Sequence, residues 1–242
     1  MSHTRIRESR AMARRPQITP RKTASQTRSR FTVDALIQAT ARILIKDGYD
    51  QASTNRIAAA AGVSIGSLYQ YFPSKEAVVA AVTGRHAQEL SQVVLNALLK
   101  VSARPIEIGV RELVAAAIDA HRVDPALHRV LAEEVPRVGR LESIDSVERS
   151  TRGLVRGYLE AHRSEIDIAD LDLAAFILST TVEALTHSAV LHRPDILAGE
   201  RAGAFVDEVT RLVVRYLRTP SRAGETERKH ARKPTARRRI KP

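Results

Sequence analysis

Apolar residues recur every three or four positions along most of the chain, with polar residues between them. This spacing is the period of an α-helix that buries one face, and it differs from the alternation of a half-buried β-strand. Ala, Leu, Arg and Glu are common whereas Gly and Pro are sparse, which also favours helices. The pattern therefore predicts an all-α fold.

Two helices that end at glycines are predicted in the N-terminal part of the chain. The first begins at Thr32, whose hydroxyl can cap a helix, and ends at Gly48. The second has Thr54 in its cap region and ends at Gly62. Because glycine adopts a positive φ at little steric cost, we expect a tight turn at Gly62, followed by a further helix.

A short third helix follows this turn and leads directly into a long fourth helix. Ser64 caps the third helix, and Pro73 ends it because proline disfavours helical geometry at the residue before it. The fourth helix is predicted to begin after Ser74 and to continue to about Lys100.

The third helix is predicted to have one inward edge and a broad outward side. Leu68 and Phe72 are four residues apart and are expected to point inward. The residues left mostly outward are Ile65, Gly66, Ser67, Tyr69, Gln70 and Tyr71. Two helices joined by a tight glycine turn form a helix-turn-helix, and the second helix of such a motif fits the major groove of DNA.

Residue types on the outward side suit this interpretation. Gly66 and Ser67 would allow the helix backbone to approach the bases closely, and Tyr69, Tyr71 and Lys75 would donate hydrogen bonds to flanking phosphates. The alternative is a plain three-helix subdomain whose tyrosines pack their rings and hydrate their hydroxyls. The residues alone leave both interpretations open.

Five further helices are predicted in the C-terminal half, near residues 106–122, 125–135, 143–163, 169–192 and 202–218. The segment 169–192 is apolar almost all round, which suggests contacts on more than one side. The last helix carries an apolar stripe of Phe205, Val209, Leu212, Val213, Tyr216 and Leu217. Two such helices can form an internal core or half of a dimer interface.

Composition limits the chemistry and the compartment. The 242 residues include no cysteine, which excludes disulfides, thiolate metal sites and thiol catalysis and is typical of a reducing interior. Continuous apolar runs fall short of the ~18 residues of a membrane span, and no signal-type apolar run follows the arginine-rich N-terminus. We therefore expect a cytoplasmic protein with no membrane partner.

Positive charge is concentrated at the two ends of the chain. Residues 1–30 carry nine Lys and Arg against one acidic residue, and residues 219–242 carry nine against two. The tails carry net charges of +8 and +7, which together exceed the net charge of +12 of the whole chain. The segment between them is therefore mildly acidic. Basic tails are commonly solvated and disordered, and on DNA they would add affinity without sequence preference.

The stretch TNRIAAAAGVSIGSLYQYFPSKEAVVAAV, residues 54–82, resembles the DNA-binding module of the TetR family of bacterial transcription regulators. The similarity lies in its Ile-Ala, Gly-Val-Ser, Gly-x-Leu-Tyr-x-Tyr-Phe and Lys-Glu pattern, and it extends weakly back to Phe31. It implies a homodimeric repressor with an N-terminal helix-turn-helix, joined by a long helix to a C-terminal bundle. That bundle would dimerise through its last two long helices and hold a small-molecule effector.

The resemblance also implies a division of the chain and roles for single residues. The segments are a basic tail (1–30), a helix-turn-helix domain (31–76), a ligand-binding and dimerisation domain (77–218) and a second basic tail (219–242), both tails being expected to be disordered. Thr54 would contact a phosphate and Asn55 would lie near base edges. The residues facing the groove would be Ile65, Gly66, Ser67 and Gln70, and the phosphate clamps would be Tyr69, Tyr71 and Lys75. The partner would be a double-stranded, palindromic DNA operator.

One groove residue departs from the family pattern. Ile65 stands where a polar or charged residue is more usual. An apolar side chain can contact a thymine methyl group but cannot donate a hydrogen bond to guanine. The operator sequence is therefore not indicated by the motif.

Effector residues are much less clearly indicated. The polar candidates of the C-terminal half are His121, His128, Glu133, Glu134, Tyr158, Glu183, His187 and His192, and Phe176 is an apolar candidate that fits the core better. Glu183 and His187, one helical turn apart, can share a metal or orient a ligand, but such a pair is more often a satisfied core couple. The ligand-binding set chosen is His121, Tyr158, Phe176, Glu183 and His187, with no cofactor and no metal site expected.

Two other functions compete with a DNA-binding regulator. A hydrolase or metal enzyme is not supported, because the chain has no His-Glu-x-x-His, no Gly-x-Ser-x-Gly and no phosphate-binding loop. A dimeric helical ligand sensor or scaffold that does not bind DNA is the alternative to the regulator. Replacing Tyr69 and Lys75 together would separate these two.

Overall fold

A computed structural model describes residues 27–135 and 142–219, and this part of the chain is helical throughout, without β-strands. Its helices are α1 (Thr27–Asp47), α2 (Thr54–Ala60), α3 (Ile65–Tyr71), α4 (Lys75–Val101), α5 (Ile106–His121), α6 (Pro125–Glu133), α7 (Glu142–Ala161), α8 (Leu171–His192) and α9 (Glu200–Arg218). Short 3₁₀ turns occupy Arg163–Glu165 and Pro194–Leu197. The all-α prediction is confirmed.

Most predicted helix boundaries agree with the structure to within two residues. The exception is α1, which begins at Thr27 and not at Thr32. The residues between these positions include no glycine or proline, so nothing in the backbone stops the helix from extending by more than a turn. Predicted features in residues 1–26 and 220–242, including most of both basic tails, lie outside the described residues.

The chain forms two compact units, the first ending at Val82 and the second beginning at Thr83. The functional boundary predicted at residue 76 lies six residues before this division and stays a prediction. In the first unit α1, α2 and α3 pack around a core that contains Leu36, Ile57, Leu68 and Phe72. Each of these side chains is almost fully buried, so α3 is held against the unit by its inward edge.

The turns of the first unit follow from the capping residues. The Ser53 hydroxyl accepts from Arg56 N at the start of α2, and Ser74 Oγ accepts from Ala77 N, 3.2 Å away, at the start of α4. Gly62 lies between α2 and α3 with a φ of 67°. This left-handed conformation costs glycine little, as the sequence predicted.

In the second unit α5 packs against α8 and α9, and α7 packs against α8. The core residues that are almost completely buried are Val101, Ile106, Val114, Leu159 and Leu217.

Among the described residues α8 alone is long and apolar enough to cross a membrane, by length and composition, and only 28% of its most apolar window is buried.

The predicted apolar stripe of α9 is only partly buried in the single chain. The residues that α9 buries are Val206, Val209, Val213, Val214 and Leu217. Phe205 and Tyr216 are only partly buried, and Leu212 is 51% exposed. Because α9 packs on α5 through the valine side, the helix has more apolar residues than this contact covers.

Candidate nucleic-acid interface and histidine cluster

Helix α3 presents a small polar surface held in place by one apolar anchor. Ser64 Oγ accepts from Ser67 N at 3.0 Å, which caps the helix start, and it also lies 2.8 Å from Ser67 Oγ, within hydrogen-bond distance. Leu68 is fully buried. The exposed residues of the helix are Ile65, Gly66, Tyr69 and Gln70, and Ser67 is half-buried.

Two predicted phosphate contacts come together at the start of α2. Thr54 Oγ1 and Tyr69 Oη lie 3.1 Å apart, within hydrogen-bond distance. Tyr69 is 41% exposed, and Asn55 next to Thr54 is exposed as well. This part of the surface offers two hydroxyls and a carboxamide in one place.

Tyr71 is not on the outward surface where the sequence placed it. Its side chain is 7% exposed, whereas the prediction counted it among the outward residues of α3. Tyr71 is three positions after Leu68, and residues three apart share one side of a helix just as residues four apart do. Phe72 is buried as predicted, in an extended conformation immediately before Pro73.

Lys75 is held close to the end of α1. Its ammonium donates to the carbonyl oxygen of Tyr49 at 3.2 Å and lies 4.0 Å above the centre of the Tyr49 ring. These contacts fix the position of the charge. An ammonium has three donors, so Lys75 retains donors for a phosphate while it keeps the bond to Tyr49.

A cluster of histidines lies in the second unit, where four helices each contribute one ring. We call the residues His86 of α4, His121 of α5, His128 of α6 and His187 of α8 the histidine cluster. His128 is central, because its Nδ1 lies 3.0 Å from His86 Nε2 and its Nε2 lies 2.9 Å from His187 Nδ1. One ring nitrogen from each of His121, His128 and His187 lies within 4.8 Å of the others.

The cluster is largely buried, and this determines its charge. Burial, together with the adjacent rings of His121, His86 and His187, lowers the pKa of His128 to about 3. Burial also lowers the pKa of His86 and of His187. These three rings are therefore neutral at neutral pH.

Both units of the chain match protein-family descriptions. Residues 36–82 match the family described as bacterial regulatory proteins, tetR family. Residues 105–217 match the tetracyclin repressor-like C-terminal domain. The chain belongs to the TetR family. The family is one of bacterial regulatory proteins.

Curated relatives match over part of the chain. The nucleoid occlusion factor SlmA of Haemophilus ducreyi is 31% identical over 86 residues, which is 36% of this chain and 42% of the relative. The chain thus aligns with less than half the length of this relative.

Solved structures match over most of the chain. The fatty acid degradation regulator FadR of Bacillus halodurans has 22% identity and a TM-score of 0.58, covering 76% of this chain and 94% of its own. FadR of Bacillus subtilis, solved with stearoyl-CoA, has 19% identity and a TM-score of 0.57, covering 75% and 97%. At these identities the likeness concerns the TetR fold alone.

The effector residues predicted for this TetR-family chain do not form one site. His121 and His187 come together, and Glu183 lies exposed one turn before His187. Tyr158 is buried against Gly109, which is 12 residues before His121 on α5 and so about 18 Å away along the helix. Phe176 is 47% exposed, with the Arg152 guanidinium 5.1 Å from its ring centre, so its assignment to the core is wrong.

Sequence analysis did not bring the histidine cluster together. His86 is not among the candidates that the sequence offers, and His128 is a candidate outside the predicted ligand-binding set. The local signal that positions His128 is Asp124, whose carboxylate accepts from Leu127 N at 3.0 Å and starts α6 immediately after α5. No spacing rule connects these residues to α4 and α8.

Proposed function

We propose that this TetR-family chain is a homodimeric repressor that binds a palindromic double-stranded DNA operator and is released by a small-molecule effector. The observation that carries the proposal is the exposed side of α3, where Gly66, Tyr69 and Gln70 face away from the unit. A cytoplasmic, non-enzymatic regulator is consistent with this surface and with the family.

Contacts to DNA would be divided between bases and backbone. Ile65, Gly66 and Gln70 would enter the major groove with Ser67 at its edge, and Asn55 would lie beside base edges. The Thr54 and Tyr69 hydroxyls and the Lys75 ammonium would bind phosphates. Tyr71 has its ring buried, so within this proposal only its hydroxyl would be available to a phosphate.

A second copy of the chain would cover the apolar faces of α8 and α9. Leu185, Phe205 and Leu212 line a groove between these helices, with Arg211 and Arg215 at its edge. Leu185 and Leu212 are exposed in the single chain although both are large and apolar. Two-fold pairing of this face would bury them and place two copies of α3 about 34–36 Å or more apart, which suits a palindrome.

Effector release requires the effector to prefer one spacing of the two recognition helices. A coupling of about 1–3 kcal/mol is typical and changes operator affinity roughly 5- to 150-fold. Helix α4 begins just after α3 and continues to Val101, so we propose that a pendulum motion of α4 carries the change. The relative crystallised with stearoyl-CoA makes a fatty acyl-CoA a reasonable first compound to test.

The test compares two double variants on DNA from the chain's own promoter region. Tyr69→Phe with Lys75→Gln removes two proposed phosphate donors, and we expect at least a ~30-fold loss of affinity with an unchanged dimer. The matched control makes the same chemical changes in the second unit, as Tyr158→Phe with Lys100→Gln. It should bind DNA like the wild type.

Two other results would decide against the proposal. Equal DNA affinity for the Tyr69/Lys75 variant and the control would favour the sensor or scaffold that does not bind DNA. A stable monomer at micromolar concentration in sedimentation equilibrium would contradict the homodimer.

A further inference from the structure

We propose that the histidine cluster binds a first-row divalent transition-metal ion, with Zn²⁺ as the occupant and His121, His128 and His187 as its ligands. This inference does not rest on DNA binding, because every residue it uses lies in the second unit. It departs from the sequence analysis, which expected no metal site.

Ligand type and number support zinc. Imidazole nitrogens are common ligands of Zn²⁺, and three histidines with one open position form a known type of zinc site. The hard cations Mg²⁺ and Ca²⁺ prefer oxygen ligands, so three imidazoles select against them. The chain contains no cysteine that could offer a competing thiolate site.

Distances in the cluster are close to those that a tetrahedral ion requires. With Zn–N bonds of about 2.0–2.1 Å, two ligand nitrogens of a tetrahedral site lie about 3.3 Å apart. His128 Nε2 and His187 Nδ1 are 2.9 Å apart, and the widest separation among the three ligand nitrogens does not exceed 4.8 Å. Small shifts of the three side chains that leave the His121 ring orientation unchanged would close the remaining gap of about 1.5 Å.

His121 is already oriented in the way metal-bound histidines are. Its Nδ1 lies 2.7 Å from the carbonyl oxygen of Ala117, and because a carbonyl can only accept, Nδ1 carries the proton. The lone pair is therefore on Nε2 and is available to a metal. A backbone carbonyl that accepts from the second ring nitrogen is the usual outer-shell partner of a histidine ligand.

His86 is placed as the outer-shell partner of His128, because its Nε2 lies 3.0 Å from His128 Nδ1 while the proposed ion would bind at His128 Nε2. Its side chain is only 4% exposed, and its Nδ1 has no hydrogen-bond partner within the described part of the chain. Carboxylates add to the attraction for a cation, since Asp124 favours positive charge at His86 and Glu183 and Glu133 favour it at His187. A purely structural histidine chain is the competing interpretation, and it predicts no metal affinity.

The test uses the full chain without a polyhistidine tag, stripped of metal by a chelator and then titrated with Zn²⁺ or Mg²⁺. We expect one Zn²⁺ per chain with a Kd in the micromolar range or tighter, a raised Tm, and no effect of Mg²⁺. Co²⁺ in place of Zn²⁺ should give the intense visible absorption bands of a tetrahedral site.

Variants locate the ion. His128→Gln and His187→Gln should each weaken Zn²⁺ binding about 100-fold or more, whereas His192→Gln, which changes a histidine of α8 outside the cluster, should leave it within about threefold. Equal binding by all these variants, or none by the wild type, would overturn the proposal.

One measurement does not depend on the variants folding. Zinc X-ray absorption of the loaded wild-type protein should show three imidazole nitrogens at about 2.0–2.1 Å. A spectrum dominated by oxygen ligands would overturn the assignment to the cluster.

Discussion

The hydroxyl oxygens of Thr54 and Tyr69 lie 3.1 Å apart although 15 residues separate them in the chain. Thr54 is the first residue of α2 and Tyr69 is in the middle of α3, so the contact joins the two helices of the motif across the Gly62 turn. It also places two proposed phosphate donors where one phosphate can contact both.

The first prediction concerns this hydroxyl pair. Tyr69→Phe and Thr54→Val should each weaken DNA binding by about 0.5–1.5 kcal/mol per subunit, because each removes one hydrogen bond from each half of the dimer. If one phosphate bridges the two groups, the double variant should lose about 0.5 kcal/mol less than the sum of the singles. Fluorescence anisotropy of a labelled promoter fragment at fixed salt measures all four affinities.

Salt dependence provides the control for this cycle. Neither neutral substitution changes the number of displaced counterions, so the slope of log affinity against log salt should stay as in the wild type. Lys75→Gln should reduce the magnitude of that slope by about 2, because each subunit of the dimer loses one phosphate contact. Strictly additive losses would contradict a shared phosphate.

The second prediction separates folding from binding at two neighbouring glycines. Gly66→Ala should raise the free energy of unfolding by about 0.5–1 kcal/mol, because alanine favours a helix and the nearest atom to its Cβ, Ser64 Oγ, is 3.8 Å away. The same methyl group would stand on the groove side of α3. DNA affinity should therefore fall by at least about fivefold, since an extra methyl in a close-packed interface costs about 1–3 kcal/mol.

Gly62→Ala should lower the free energy of unfolding and leave the DNA affinity of the folded protein unchanged, which is the opposite of the result expected for Gly66→Ala. Gly62 has a φ of 67°, and no described atom lies within 4 Å of the position its Cβ would take. The cost is therefore backbone strain alone, about 1–2 kcal/mol of stability. Thermal unfolding followed by circular dichroism, beside DNA titration of the folded protein, distinguishes the two glycines. A Gly66→Ala variant that bound DNA normally would place the groove contact elsewhere.

The third prediction tests the dimer face. Leu212→Glu should weaken dimerisation at least about 30-fold, because it would place a charge at the centre of an apolar contact. Leu99→Glu makes the same change at an exposed leucine of α4 and should leave the dimer intact. Sedimentation velocity over a concentration series measures both. If Leu99→Glu dissociated the dimer and Leu212→Glu did not, the dimer face would lie at Leu99 of α4 and not at Leu212 of α9.

The fourth prediction concerns the close contact between α5 and α7. A Cβ on Gly109 would lie 1.8 Å from Tyr158 Oη and 3.0 Å from Cζ, so Gly109→Ala should destabilise the second unit by about 1–3 kcal/mol. Tyr158→Phe alone should be neutral or stabilising by up to about 1 kcal/mol, because the buried hydroxyl has no partner in the described residues.

In combination the two changes should be non-additive. Removing the hydroxyl takes away the closest atom but leaves the ring at 3.0 Å, so Tyr158→Phe should recover part, and not all, of the stability lost in Gly109→Ala. Denaturant titration of the wild type, the two single variants and the double variant gives the coupling free energy between the two changes. Full additivity would mean that Tyr158 moves aside freely.

Local signals made much of the fold predictable from the sequence. Ser64, Gly62 and Pro73 act within a few residues of where they stand, and they begin, separate and end the helices of the motif as expected. The α5 and α8 boundaries followed from periodicity in the same way. Such features depend on the backbone and on capping side chains, which the sequence displays directly.

Features that depend on the partner of a helix face were not predictable. Periodicity does not distinguish which side of α9 packs on α5, so it could not show that Leu212, within the apolar stripe, is exposed in the single chain. Tyr71 was misplaced for a similar reason. It is the last residue of α3, and the spacing of the buried Leu68 and Phe72 does not show that Tyr71 is buried with them. The meeting of His86, His121, His128 and His187 requires four helices to be packed first, and no spacing along the chain records it.

Because α3 is short, a regulator that reads DNA with this helix would contact only a few base pairs in each half of its site. Its seven residues extend about 10 Å at 1.5 Å per residue, the length of about three base-pair steps of 3.4 Å. Three base pairs recur by chance about once in 64 positions, and six about once in 4,000, so a genome of roughly 10⁶ positions would offer hundreds of equivalent sites. Such a regulator would need to discriminate further between sites. The bendability and groove width of base pairs that its side chains do not contact would provide this discrimination.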